Sequence, residues 1–63
     1  SLYPFIEKLN TDYTKQQKIE LVTQIWSLII SDEDKDAHEV QMFFNIGDLL
    51  GIKRTELNKI KNT

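Results

Sequence analysis

The sequence predicts an all-α domain, a small bundle of three to four helices completed by self-association. Three observations lead there. No stretch alternates apolar and polar residues with period two, and no Asn-Gly or Asp-Gly pair offers a hairpin turn. Two polar quartets have the chemistry of helix starts, and a glycine stands where a helix would stop. The two long helices so delimited are apolar around more than half their circumference, which is more than so short a chain can hide within itself.

The first element is a short helix in "SLYPFIEKLN". Pro4 falls in its first turn, where a missing N–H costs nothing, and Phe5, Ile6 and Leu9 share one side. After "TDYT", Thr14 and Gln17 form a capping box: the Thr14 hydroxyl accepts from the Gln17 N–H, and the Gln17 side chain reaches back. The helix that follows carries Ile19, Leu21, Val22, Ile25, Trp26, Leu28, Ile29 and Ile30, which cover roughly 200° of its circumference. Glu20, Thr23, Gln24 and Ser27 hold the remainder, so this helix needs neighbours on two sides, with Trp26 as a core anchor.

A second capping box, Asp36 with Glu39, opens the next helix. Its apolar residues are Val40, Met42, Phe43, Phe44, Ile46, Leu49 and Leu50, with Gln41, Asn45 and Asp48 left for water. One of the adjacent Phe43 and Phe44 belongs to the core, and the other to an interface or to the N-terminal segment. Gly47 inside a helix costs about 1 kcal/mol against alanine, a cost that a close helix crossing would justify. Gly51 is placed as a left-handed C-cap, with Ile52 folding back on the last turn. The last helix, roughly residues 54 to 62, turns Leu57 and Ile60 inward.

Composition narrows the function classes. The 63 residues make one domain, 1–63, and a chain of this size buries only about 60% of its unfolded surface. There is no Cys, so disulfides and thiolate zinc sites are excluded and nothing argues for an oxidising compartment. No apolar run is long enough for membrane insertion, and no basic stretch precedes an apolar one as in a signal peptide. The chain opens on Ser1 rather than Met, which makes an excerpt of a longer protein the expectation. The net charge of −2 brings no general attraction to nucleic acid, although Lys53, Arg54, Lys59 and Lys61 face only Glu56 in the last segment.

Catalysis finds no foothold, and no enzyme is expected. His38 is the one imidazole, no glycine-rich phosphate loop is present, and no serine stands beside a base. The carboxylates cluster at a polar helix start, where backbone N–H groups and water keep them ionised, the reverse of what a general acid needs.

That cluster, "SDEDKDAHE", is the candidate site. Asp32, Asp34 and Asp36 occupy the first, third and fifth places of an EF-hand register. The register fails at Ala37, where the sharp turn needs Gly, and at Phe43, where a bidentate Glu is required. A looser site from Asp32, Asp34 and Glu39 would offer hard oxygens to Ca²⁺ or Mg²⁺ with weak affinity, and no cofactor is required. The plainer reading gives Asp36 and Glu39 to helix capping, leaves Asp32, Glu33 and Asp34 hydrated, and turns His38 to solvent.

Trp26, Asp32, Glu39 and "DLLGI" at 48 to 52 together resemble the tellurite-resistance TerB-like family, which includes the N-terminal region of a membrane-anchored DnaJ-type co-chaperone. The likeness runs from about Leu21 to Ile60. Glu33 stands where the family pattern has Gly, and Lys35 where it has an aliphatic residue that tucks the turn into the core. By the family's standard the chain is short by one or more helices. The resemblance implies a bacterial, cytoplasmic, non-enzymatic helical domain, cation binding through the Asp32 and Glu39 positions, and a scaffold role in stress-response assemblies with protein partners. A second resemblance is to the helix-turn-helix of the factor-for-inversion-stimulation type, in "FFNIGDLLGIKRTELNKIKN", with Gly47 and Gly51 at its small-residue and turn positions. It implies DNA contacts by Lys53, Arg54, Asn58, Lys59 and Lys61. The expected function is therefore a self-associating TerB-like interaction domain, a homodimer or higher, with a helix-turn-helix DNA-binding module as the alternative.

Overall fold

The computed structural model describes every residue from Ser1 to Thr63 and contains four helices and no strand. They are α1 (Tyr3–Asp12), α2 (Lys15–Ile30), α3 (Ala37–Leu49) and α4 (Arg54–Lys61). The two long helices α2 and α3 pair around Val22, Trp26, Ile29, Phe43 and Leu50, the centre of the core. Helix α4 packs against both through Leu57, while α1 adds Ile6 and Leu9 and the α3–α4 connection adds Ile52. The predicted bundle is present, at the upper of its two helix counts.

Local chemistry explains most boundaries. Pro4 lies in the first turn of α1, as its fixed φ favours. At the start of α2 the Thr14 hydroxyl accepts from the Gln17 N–H at 3.1 Å, and the Gln17 side chain accepts from the Thr14 N–H at 2.9 Å. Both halves of that box are formed. Losing it should cost about 1 kcal/mol, so a Thr14→Ala variant is expected to melt several degrees lower, and Thr14→Ser close to the parent. An unchanged midpoint in Thr14→Ala would show that packing alone fixes this helix start.

The second box is only half made. The Asp36 carboxylate accepts from the Glu39 N–H at 3.0 Å, but the Glu39 carboxylate returns no bond to the Asp36 N–H. One bond satisfies the cap, and Glu39 stays beside the half-buried face of α3. Helix α3 ends as expected. Gly51 has φ 76°, its N–H bonds to the Asp48 carbonyl at 3.0 Å, and the Ile52 N–H bonds to the Gly47 carbonyl at 3.0 Å. This paired closure swings Ile52 into the core and aims the chain back along α3 as α4.

Gly47 faces Leu57 inside the bundle, close enough that a Cβ at 47 would lie 2.5 Å from a Leu57 methyl carbon. Phe43 is fully buried, with its ring centroid 5.0 Å from Trp26. Phe44 turns to α4 rather than to the N-terminal segment: the Arg54 guanidinium lies over its ring, 4.6 Å from the centroid, and bonds Asp48 at 3.0 Å. The short Gly51 turn brings α4's first residue against that ring.

The molecule is flat, 34 × 25 × 16 Å, and only 10 of its 63 residues are buried. Several residues predicted to face inward therefore reach solvent: Phe5 on α1, Leu28 and Ile30 on α2, Met42 and Leu49 on α3. The apolar sectors have the predicted width, but two short helices cannot cover two long ones.

Candidate functional site

The acidic segment is a tight turn between α2 and α3. The Ser31 hydroxyl donates to the Leu28 carbonyl at 2.8 Å, ending α2, and the Asp32 carboxylate accepts from the Asp34 N–H at 2.9 Å. Asp36 then caps α3. Asp32 and Asp36 thus each spend an oxygen on the turn's own backbone, while Glu33, Asp34 and His38 are exposed and Glu39 is half-buried. Asp32, Asp34 and Glu39 do not converge, and nowhere do three His, Asp or Glu side chains gather as a ligand set. A cation needs several oxygens around one point, and these residues as arranged do not fit one.

Lys35 links the turn to the core. Its ammonium lies 5.7 Å from the centroid of the Trp26 ring, within cation–π range.

The second set of candidate residues lies on α4. Lys53 is its N-cap residue, and Lys53, Arg54, Asn58 and Lys59 are all exposed. Arg54 is engaged by Asp48 and Phe44. Lys15, at the start of α2, bonds Glu56 at 2.8 Å and ties α4 to the base of the bundle. That hydrogen bond holds the Glu56 carboxyl below the usual glutamate range; partial burial pushes the other way, and the charges of Lys15, Lys53 and Lys59 add to the lowering. A carboxyl held low stabilises the fold above its unfolded pKa and loses that contribution as pH falls through the folded value. The melting midpoint should therefore drop as pH falls below about 4, and a Lys15→Met variant should show a smaller drop over the same range. Equal slopes in the two proteins would deny the pair a role in stability.

Between α2 and α4 runs a groove of about 310 Å³ that the sequence did not announce. Trp26, Ile30 and Ile60 form its apolar lining, Thr23 and Ser27 lie along the α2 wall, and Lys59 stands on the α4 wall. The legible trace of it was Ile30, the last apolar residue of α2, on the same side as Trp26 and Thr23 rather than Leu28.

A family model described as tellurite resistance protein TerB matches residues 1–62. The chain belongs to the TerB family. No curated protein and no solved structure matches it. The match takes in α1 and the start of α2, beyond the Leu21–Ile60 span on which the resemblance rested. Within this TerB domain the Lys35 ammonium lies over the Trp26 ring. No helix of the domain is long and apolar enough to cross a membrane.

Proposed function

We propose that this TerB domain is a non-enzymatic protein-interaction module that self-associates and serves as a scaffold in stress-response assemblies. One observation carries the reading: eight large apolar residues are at least 39% exposed on a domain that buries only ten residues. Six of them lie on helices, Tyr3 and Phe5 on α1, Leu28 and Ile30 on α2, and Met42 and Leu49 on α3, while Leu2 and Tyr13 flank α1. The accessible surface, 4645 Å², exceeds the roughly 4200 Å² usual for a compact monomer of this mass. A second layer against a face of the bundle would remove apolar surface from water without disturbing the core. The Lys15 hydrogen bond keeps the Glu56 carboxylate ionised, which suits structure rather than proton transfer. The reading requires no cation, and it leaves α4 as a packing element, since Arg54 is already held by Asp48.

Sedimentation velocity and thermal unfolding across a hundredfold range of protein concentration test it. Self-association predicts a growing sedimentation coefficient and a midpoint that rises with concentration, the same with Ca²⁺, Mg²⁺ or EDTA. A monomer with a fixed midpoint across that range would sink the proposal.

A further inference from the structure

We propose that the domain self-associates head to tail, with a groove between α1 and α3 of one copy seated against the α2–α4 groove of the next. The inference rests on the self-association reading and names the two surfaces that meet.

The α1–α3 groove, of about 390 Å³, is lined by Tyr3, Ile6, Glu7, Asn10 and Thr11 of α1 and by Leu49 at the end of α3. It shares no residue with the groove between α2 and α4, and the two carry opposite charge. Glu7 is the one charged residue lining the first, and Lys59 the one lining the second. The Lys35 ammonium over Trp26 adds a further positive charge beside the second groove's floor. Glu7 and Lys59 are both exposed, and neither belongs to the ion pairs Lys8–Asp12, Lys15–Glu56 and Arg54–Asp48. The hydroxyl and amide groups of the walls are already engaged. Thr11 donates to the Glu7 carbonyl at 3.0 Å and Asn10 to the Leu49 carbonyl at 3.1 Å. Thr23, Ser27 and Thr63 donate to the Ile19, Thr23 and Lys59 carbonyls at 2.7, 3.1 and 2.6 Å. Drying the walls therefore orphans none of these donors, and Glu7 and Lys59 are the charges left to satisfy. Each groove also pairs an exposed apolar side chain, Tyr3 at 70% or Ile30 at 52%, with an apolar floor, Ile6 and Leu49 in one and Trp26 and Ile60 in the other. Set face to face, each projecting side chain meets the other groove's floor, and Glu7 meets Lys59. Because the two surfaces differ, every contact leaves one groove of each kind open, and the assembly grows past a dimer.

A charge-swap experiment on the full chain, read by sedimentation equilibrium, tests this. The parent should exceed the mass of a dimer as its concentration rises. Glu7→Lys and Lys59→Glu each place like charges in every contact and should associate roughly tenfold or more weakly than the parent. In an equimolar mixture the two variants can alternate. The two substituted positions then meet in one contact and the two unchanged ones in the next, each pair opposite in sign. The mixture should recover parental association, and so should the double variant Glu7→Lys/Lys59→Glu on its own. Glu20→Lys makes the same change of charge at an exposed position of α2 outside both grooves and should associate like the parent. Far-UV circular dichroism on each variant confirms that it is folded, as expected for exposed positions. If the folded single variants associate like the parent, if they fail to recover on mixing, or if the parent stops at a dimer, the pairing of these grooves is overturned although self-association stands. A parent that stays monomeric overturns both readings.

Discussion

Replacing Phe43 by alanine is expected to unfold the domain at room temperature. Phe43 has no exposed surface, and it packs against Trp26 at 5.0 Å and Phe44 at 5.3 Å between ring centroids. A Phe→Ala truncation in a core costs about 3–5 kcal/mol. Losing one tilted and one edge-to-face aromatic contact falls within that range, since such pairs are worth about 0.5–1.5 kcal/mol each. Domains under about 70 residues rarely hold more than 3–5 kcal/mol in total, so one truncation removes the margin. Far-UV circular dichroism and the dispersion of methyl proton resonances would report the loss. Phe43→Leu, which keeps most of the volume, should remain folded with a lowered midpoint. A Phe43→Ala protein that still melted cooperatively near the parent's midpoint would mean that the centre of the core lies elsewhere.

Gly47→Ala should destabilise the domain by about 1 kcal/mol, although alanine is the better helix former by nearly that amount. The opposing effect is steric. The new Cβ would meet the two Leu57 methyl carbons at 2.5 and 2.6 Å and its Cγ at 3.1 Å. A half-exposed leucine could swing away, but Leu57 is wholly buried and overpacking of this kind costs about 1–3 kcal/mol. In a Leu57→Val background the two shortest contacts vanish. There the same Gly47→Ala change should become neutral or stabilising by up to about 1 kcal/mol. Chemical denaturation of the four proteins of this cycle measures the coupling. Additive effects would show that α4 can shift away from α3 at little cost.

The helices were legible because their determinants are local. Thr14 with Gln17, Asp36 ahead of Glu39, and Gly51 after Leu50 each act within a turn of helix, and each lies where the sequence put it. Gly47 was legible for a different reason, since a glycine inside a helix points to a close crossing even when the crossing partner is unknown. What stayed hidden depends on residues far apart in the chain. Phe44 under Arg54 follows from the turn at Gly51, and Lys15 with Glu56 joins residues far apart in the chain. Periodicity also gave the width of the apolar sectors without saying which neighbour would arrive, so Leu28, Ile30, Met42 and Leu49 read as core and lie exposed. The acidic turn drew attention by composition alone, whereas its side chains serve the backbone on either side of them.

Asn10 sits where the short first helix meets the rest. Its amide donates to the Leu49 carbonyl at 3.1 Å and its carbonyl oxygen accepts from Lys18 at 3.1 Å, while α1 buries only Ile6 and Leu9. These bonds are exposed and replaceable by water, so α1 is fastened by the burial of Ile6 and Leu9 rather than by its polar contacts. The domain is thus a three-helix body wearing a clasp. Because Ile6 and Leu9 are two of the nine buried side chains of the core, the clasp is also part of what it closes, and a chain cut short before α2 would lose both.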